Sequence, residues 1–300
     1  MAPDCMDPDC MDPGNRTYDS SFPLDFHRPI NSHDERLHPM AQARIAVRLS
    51  SFGAPLRQSL AAAASLGVKA VQLDAGPPLK LSELSATGIR QLRKLVSDFD
   101  LKIAAIRFQT RRGYDTLEGL SRRVDATKTL MATAYELGAP LLINRLGDVP
   151  EKTDDPRYQT LVEVVSDLGR HGTRVGTFFA AETGSEPGAS LAKLLESDHN
   201  AFVAAALNPG KLIINRFGCG EAIRALGDRI RVVVATDGVV DLSAGRGVTV
   251  PIGQGTADYP EILAELENRG FSGHLIVGED QPHPEALQRL ADTIGYLQNL

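Results

Sequence analysis

Polar residues that end short apolar runs are the part of this sequence best placed to carry chemistry. Apolar stretches end in, or next to, a charged or amide side chain at Arg48, Asp74, Arg107, Asn144, Arg145, Glu182, Asn208, Asp237, Glu279 and Asp280. Carboxylates can transfer protons or bind metal ions, and arginines bind anionic groups. Because a single polar residue in such a place is often only a turn former or a helix cap, the whole set matters more than any one member.

Glu182 stands out within this set. The run GTFFAAE passes through small and apolar residues into the carboxylate, and Thr183 and Gly184 follow at once. A carboxylate at the end of a buried strand is costly unless a cation, an arginine or a proton compensates it. The pattern therefore predicts that Glu182 is a general base or a metal ligand.

The elements that position these residues alternate regularly from Arg44 onward. Helical segments separate eight β-branched or apolar runs, which are ARIAVRL, KAVQLDA, LKIAAIRF, APLLINRLG, RVGTFFAAETG, AFVAAALNPG, RIRVVVATDG and GHLIVGED. Eight such units are typical of a closed barrel of parallel strands, and the alternative open sheet lacks support because no Gly-x-Gly-x-x-Gly follows the first run. We predict an α/β fold with a single (β/α)8 barrel over residues 44–300. The polar residues would then meet at its carboxyl-terminal mouth.

The first 43 residues differ from the rest of the chain. They repeat a Pro-Asp-Cys-Met-Asp unit and are rich in Pro, Asp, Ser and His, without helical or strand periodicity. We predict a disordered amino-terminal tail over residues 1–43. A metal tract of Cys5, Cys10 and the nearby histidines is an alternative, but the cysteine spacing does not match a zinc site.

Composition excludes several classes of protein. The net charge of −6 gives no support to a nucleic-acid partner. No apolar run approaches the length of a membrane span, and the amino terminus does not resemble a signal peptide. Three cysteines do not form a disulfide framework, so a reducing cytoplasm is the expected location.

Five segments, in order, carry a resemblance to a known family: AAETG, AALNPGKLI, RVVVATDG, PIGQGTADYPEILAELENRGFSG and the final GED. The chain resembles the sugar phosphate isomerase/epimerase group of the xylose isomerase-like TIM barrels from about Arg44 to the carboxyl terminus. Its most specific segment is the G-x-G-x-x-D-Y-P sequence from Gly253 to Pro260.

The resemblance implies one divalent metal, held by Glu, Asp, His and Glu at the ends of strands five to eight. Glu182 matches the first position, whereas Asn208, Val234 and Gly278 stand at the other three, with Glu279 one residue later. Asparagine offers only a neutral oxygen, valine cannot bind a metal, and neighbouring strand residues face opposite sides. The expected site is therefore degenerate and holds Mg²⁺ or Mn²⁺ weakly, through Glu182 and Asn208.

The leading hypothesis is an isomerase or epimerase that moves a proton between adjacent carbons of a small sugar or polyol. Glu182 and Glu279 would be the catalytic acid/base pair, and Arg107, Asn208 and Asp237 would bind the substrate. The expected partner is a small sugar-like molecule, not a nucleic acid or a membrane, and the resemblance also implies a homo-oligomer.

Two other functions compete with this hypothesis. An inactive barrel that serves as a binding or regulatory protein is favoured by the missing metal ligands. Metal-dependent hydrolysis, as in apurinic endonucleases of this fold, needs several histidines at strand ends, and the sequence lacks them there. Five cations could meet a phosphate group: Arg107, Arg111, Arg112, Lys211 and Arg216.

The degenerate metal site gives a first prediction. Replacing Val234 with His and Asn208 with Asp should raise the affinity for Mn²⁺, because ligand number and negative charge both increase. Calorimetry should show little Mn²⁺ binding by the native protein and measurable binding by the double variant. Tight stoichiometric binding by the native protein would contradict this interpretation.

Overall fold

The computed structural model describes residues 44–242 and 245–300. The segment 1–43, for which disorder is predicted, lies outside the described residues. The strands in chain order are β1 (Ile45–Arg48), β2 (Ala70–Asp74), β3 (Lys102–Arg107), β4 (Leu141–Asn144), β5 (Phe178–Glu182), β6 (Ala204–Leu207), β7 (Ile230–Ala235), β8 (Asp237–Val239), β9 (Val248–Val250) and β10 (His274–Val277).

Eight of these strands form a closed parallel barrel, which confirms the predicted fold. Strands β1 to β7 pair in chain order, and β10 lies between β7 and β1. The sheet closes through the register Ile45 to Leu275 and Val47 to Val277, while the other edge of β1 pairs with β2. An open sheet is therefore excluded, and the carboxyl ends of all eight strands share one mouth.

Helices cover the outside of the barrel. They are α1 (Leu56–Ser65), α2 (Ala86–Asp98), α3 (Leu120–Leu137), α4 (Pro156–Val175), α5 (Gly188–Leu195), α6 (Pro209–Ile214), α7 (Cys219–Leu226), α8 (Tyr259–Glu267) and α9 (Ala286–Gln298). Helix α2 illustrates their origin, because the side chain of Ser85 caps its first turn and Ile89, Leu92 and Val96 form its buried stripe.

Two apolar layers hold the barrel together. The larger one fills the space between the sheet and the helices, and the smaller one fills the interior of the barrel. Small side chains dominate the interior layer, which consists of Ala46, Ala70, Ala104, Ala105, Leu141, Ile143, Ala180, Ala204, Ala206, Val232, Val234 and Ile276. Because alanine fills so little of the interior, long polar side chains can enter it from the mouth.

Two segments, one after β7 and one after β6, contain elements that the sequence pattern does not predict. After β7, the strands β8 and β9 form an antiparallel hairpin with Asp237 opposite Val250. The short helix α6, absent from the sequence interpretation, begins directly after β6 because the side chain of Asn208 caps it and Pro209 occupies its first turn. Among the described residues, no helix is long and apolar enough to cross a membrane.

The layer between helices and sheet gives a second prediction. Leu161 of α4 is fully buried, whereas Leu287 of α9 is 46% exposed. Leu161→Ala should lower the free energy of unfolding by about 2–5 kcal/mol, because it removes apolar contacts and leaves a cavity. Leu287→Ala is the matched control and should cost less than about 1 kcal/mol. Denaturant titration measures both, and equal losses would contradict the assigned packing.

Candidate active site at the mouth of the barrel

Charged side chains face inward at the ends of three strands, above the layer of alanines. Arg48, Arg107 and Glu182 each stand two residues after an interior alanine on the same strand, so they share its face. All three are more than nine-tenths buried. The fold therefore brings together, at the mouth, charged residues that lie far apart in the sequence, on β1, β3 and β5.

Glu182 and Asn208 lie side by side, as expected for the ends of neighbouring strands. The Nδ2 of Asn208 donates to Oε1 of Glu182 at 2.7 Å. The amide orientation is fixed because Oδ1 of Asn208 accepts from the backbone N–H of Lys211 at 2.9 Å and from the hydroxyl of Thr236 at 2.6 Å. Asn208 thus caps α6 with one end of its amide and binds Glu182 with the other.

Lys211 supplies the cation that a buried carboxylate needs. Its Nζ lies 3.0 Å from Oε2 of Glu182. Burial alone would raise the pKa of Glu182, but the charges of Lys211 and Arg107, with hydrogen bonds from Lys211 and Asn208, outweigh it and lower this pKa below its ordinary value. Glu182 is therefore an ionised carboxylate at neutral pH.

A second group of charges lies beside the first. The guanidinium of Arg48 donates to Oδ1 of Asp280 at 2.9 Å, and Arg107 approaches the same oxygen at 3.5 Å. Burial and the neighbouring charge of Arg48 lower the pKa of Arg107, while Glu182, Asp280 and Asp74 oppose that shift. Cations and carboxylates therefore alternate across the mouth, in the order Arg48, Asp280, Arg107, Glu182 and Lys211.

Three of these five charged side chains, Arg107, Glu182 and Lys211, line a cavity of about 480 Å³. This volume is in the range of small-molecule sites. The lining residues are Arg107, Gln109, Thr110, Arg111, Ile143, Asn144, Arg145, Glu182 and Lys211. Of the five cations considered for phosphate binding, Arg107, Arg111 and Lys211 line it. Arg112 pairs instead with Glu118, and Arg216 donates to the backbone carbonyls of Asp241 and Leu242.

Glu279 is not among the residues that line the cavity. Its Oε1 accepts from Nε of Arg289 in α9 at 2.7 Å. A Cβ at the preceding Gly278 would lie 2.5 Å from Cβ of Arg48. The side chain of Arg48 therefore fills the space that a residue at position 278 would need.

Asp237 organises a loop. It is fully buried, and its two oxygens accept from the backbone N–H groups of Gly238, Gly253, Gly255 and Ala257 at 2.7–3.1 Å. A Cβ at Gly255 would lie 2.2 Å from Oδ1 of Asp237, so the loop needs glycine there. This contact gives a physical reason for the second glycine of the G-x-G-x-x-D-Y-P segment.

The residues present do not fit a divalent metal. Both oxygens of Glu182 are held by Lys211 and by the amide nitrogen of Asn208, whose own oxygen already accepts two donors. Val234 belongs to the apolar interior of the barrel. Within the part of the chain that the structure describes, no group of three His, Cys, Asp or Glu side chains could hold a metal. A metal ion at Glu182 would have to displace the ammonium group of Lys211.

Two further residues belong to the site although the local sequence does not indicate their positions. The sequence predicts only phosphate binding for Lys211, because no local motif shows that helix α6 directs this side chain towards Glu182. Glu186, in the turn before α5, is 4% exposed, and burial together with the charges of Asp148 and Glu182 raises its pKa to about 8. Its neighbours Ser185 and Pro187 make the segment look like an ordinary turn, so the sequence carries no signal for it.

The fold and the site define a (β/α)8 barrel with a ligand-sized, charged cavity at its carboxyl-terminal mouth. A family model described as xylose isomerase-like TIM barrel matches residues 60–300. The chain belongs to the xylose isomerase-like TIM barrel family.

Solved structures support the same fold. A xylose isomerase domain protein from Planctomyces limnophilus has a TM-score of 0.76 at 23% identity, over 86% of this chain and 96% of that one. A xylose isomerase-like protein from Mycobacterium smegmatis, solved in complex with magnesium, has a TM-score of 0.64 at 19% identity, over 86% and 96%. A D-psicose 3-epimerase has a TM-score of 0.63 at 15% identity, over 85% and 96%. Comparison with curated proteins gives no match.

The buried carboxyl of Glu186 gives a third prediction. Its pKa of about 8 lies above the ordinary value of 4.5, so the folded protein holds this proton more tightly than the unfolded chain. Stability should be fullest below the lower value and should decline as the pH rises to the higher one. Glu186→Gln should remove this decline, which amounts to roughly 2–5 kcal/mol at pH 8.5.

Thermal melts of the native protein and the variant at pH 5 and pH 8.5 measure this effect. The exposed Glu163, on α4, provides the control variant Glu163→Gln, which should follow the native protein at both pH values. If Glu186→Gln shifts the melting temperature equally at pH 5 and pH 8.5, the raised pKa is wrong.

Proposed function

We propose that this protein is a sugar isomerase-like catalyst that moves a proton between adjacent carbons of a small sugar or polyol, with Glu182 as the base. One observation carries the proposal: an ionised, buried carboxylate, paired with Lys211, opens onto a cavity of about 480 Å³ at the barrel mouth. Active sites of this fold lie at that end of the barrel. The family membership and the epimerase among the structural neighbours agree with this substrate class.

The residues at the site divide the chemistry between them. Glu182 takes the proton from the carbon next to the carbonyl, and Lys211 donates a proton to the carbonyl oxygen, which gives a neutral enediol. Glu182 then returns its proton to the adjacent carbon, while Lys211 recovers a proton from the second hydroxyl. When Lys211 turns to the substrate, Glu182 loses its nearest cation and becomes a stronger base.

The number of carboxylates at the cavity bears on the reaction type. Glu182 is the one carboxylate among the described residues that line it. A single base can move a proton between two neighbouring carbons on one face of the substrate, whereas inversion at one carbon needs a second acid on the other face. The geometry therefore favours isomerisation over epimerisation. Glu279, predicted as an acid/base, and Asp237, predicted to bind the substrate, have no part in this proposed reaction. Arg289 binds the carboxylate of Glu279, and backbone N–H groups bind that of Asp237.

A binding or regulatory protein is the second candidate. The observation that favours it is the tight hold on Glu182, because Lys211 at 3.0 Å and Asn208 at 2.7 Å occupy both oxygens. In such a protein Lys211 would serve only to neutralise the carboxylate. A cytoplasmic location and a homo-oligomer remain predictions from the sequence and the resemblance.

Exchange of carbon-bound hydrogen with solvent tests the proposal. The full chain is incubated in D₂O with EDTA and a panel of aldoses and ketoses of three to six carbons, and NMR follows deuterium incorporation next to the carbonyl. The native protein should catalyse exchange. Glu182→Gln should slow it by about 10²–10⁴-fold, since proton transfer by a positioned base contributes that much.

Glu163→Gln is the control, because this glutamate is exposed on the outer helix α4, and it should exchange at the native rate. Native-like exchange by Glu182→Gln would exclude Glu182 as the base. Binding of a sugar without any exchange across the panel would support the binding-protein alternative instead.

A further inference from the structure

The cavity at the barrel mouth is lined mainly by cations. Arg107, Arg111, Arg145 and Lys211 line it together with one carboxylate, Glu182. Deeper in the mouth, the cations Arg48, Arg107 and Lys211 face the carboxylates Glu182, Asp280 and Asp74, so these six charges balance. The two rim arginines therefore leave the cavity with an excess of positive charge.

Other acidic groups near the cavity change this balance little. Glu186 acts on Glu182 and Lys211, but its pKa of about 8 keeps it mostly protonated at neutral pH. Asp148 acts on Glu186 and is absent from the cavity lining. The excess positive charge in the lining is therefore open to a ligand.

Several buried polar atoms at the same place have no partner in the described part of the chain. They are Nε of Arg48, Nε of Arg107, Oδ2 of Asp74 and both amide atoms of Gln72. In the barrel register Arg48 is opposite Gln72 and Asp74 is opposite Arg107, so these groups are neighbours. Buried polar groups are nearly always hydrogen-bonded, and clusters of exceptions mark sites that receive water or a ligand.

Arg107 connects the two observations. It lines the cavity, it is 7% exposed, and its Nε is one of the unpartnered atoms. A planar guanidinium with free donors is suited to an anionic oxygen group, which can accept two parallel hydrogen bonds from it. Lys211 lies on the same cavity and adds a point charge.

We infer that Arg107, Lys211 and the rim arginines Arg111 and Arg145 form an anion subsite that takes the carboxylate or phosphate of a small sugar-like substrate without any divalent metal. This inference rests on the proposed function and names its substrate class. Lys211 already neutralises Glu182 at 3.0 Å, and Arg48 fills the space next to Gly278. Substrate charge would also draw Lys211 away from Glu182 and so restore the basicity of that carboxylate.

Calorimetry with a matched set of hexitol derivatives tests the subsite. The full chain in EDTA is titrated with sorbitol, with gluconate, in which a carboxylate replaces a terminal alcohol, and with sorbitol 6-phosphate. At least one of the two anions should bind about tenfold or more tightly than sorbitol, the effect expected of one charge-assisted hydrogen bond. The stronger of the two identifies the anionic group.

Substitutions assign the affinity to the cavity. Arg107→Met and Lys211→Met should remove the preference for the anion, whereas Lys193→Met, at an exposed position on α5, should keep it. Because the Lys211 change leaves Glu182 buried without its nearest cation and could impair folding, Arg111→Met serves as a second variant. Arg111 is exposed at the rim, so its loss should weaken anion binding several-fold in a folded protein.

The outcomes separate this inference from the proposed function. Equal affinity for sorbitol and both anions overturns the subsite, and so does anion binding that needs added Mn²⁺. Hydrogen exchange with neutral ketoses alone would uphold the proposed function while overturning the subsite. Anion binding that depends on Arg107, without hydrogen exchange on any sugar acid or sugar phosphate, upholds the subsite and overturns the isomerase.

Discussion

The structure of the mouth depends on how the charge of Glu182 is compensated. A carboxylate that is 6% exposed cannot remain ionised without close donors or cations. Lys211 and Asn208 supply them at 3.0 Å and 2.7 Å. Both partners belong to the start of α6, so the position of this short helix and the ionisation of the carboxylate depend on each other.

The neighbouring strand ends are consistent with compensation of the Glu182 charge by a lysine and an amide. Asn208 holds α6 and Glu182 with one amide, which an aspartate could not do because it has no donor. Gly278 leaves room for the side chain of Arg48, which reaches Asp280. Val234 continues the apolar interior of the barrel. Asn208, Gly278 and Val234 are thus each explained by a contact within the described residues: with Glu182, with Arg48 and with the apolar interior.

The loop beside the site has a different physical basis. Asp237 is buried, no cation among the described residues forms an ion pair with it, and four backbone N–H groups satisfy it instead. Backbone donors fix the path of the chain, and Gly255 allows it to approach the carboxylate, because a Cβ there would lie 2.2 Å from Oδ1 of Asp237. Tyr259 then closes the arrangement, since its hydroxyl donates to the carbonyl of Thr236 at 2.8 Å. Glu182 and Asp237 therefore have different roles, since the first faces the cavity and the second shapes the adjacent loop.

The sequence by itself determined the barrel and the strand ends. Alternating apolar runs and amphipathic segments fix the order of elements, and a carboxylate after GTFFAA must lie at the mouth of such a barrel. Short-range pattern also placed Glu182 next to Asn208, because consecutive strands are neighbours. Only the tertiary structure decided the partners of the charges. Arg48 and Asp280 are 232 residues apart, and their contact exists because β10 closes onto β1. Packing in three dimensions, which local periodicity does not encode, likewise determines three other features. They are the direction of the Lys211 side chain, the pairing of Glu279 with Arg289 and the burial of Glu186.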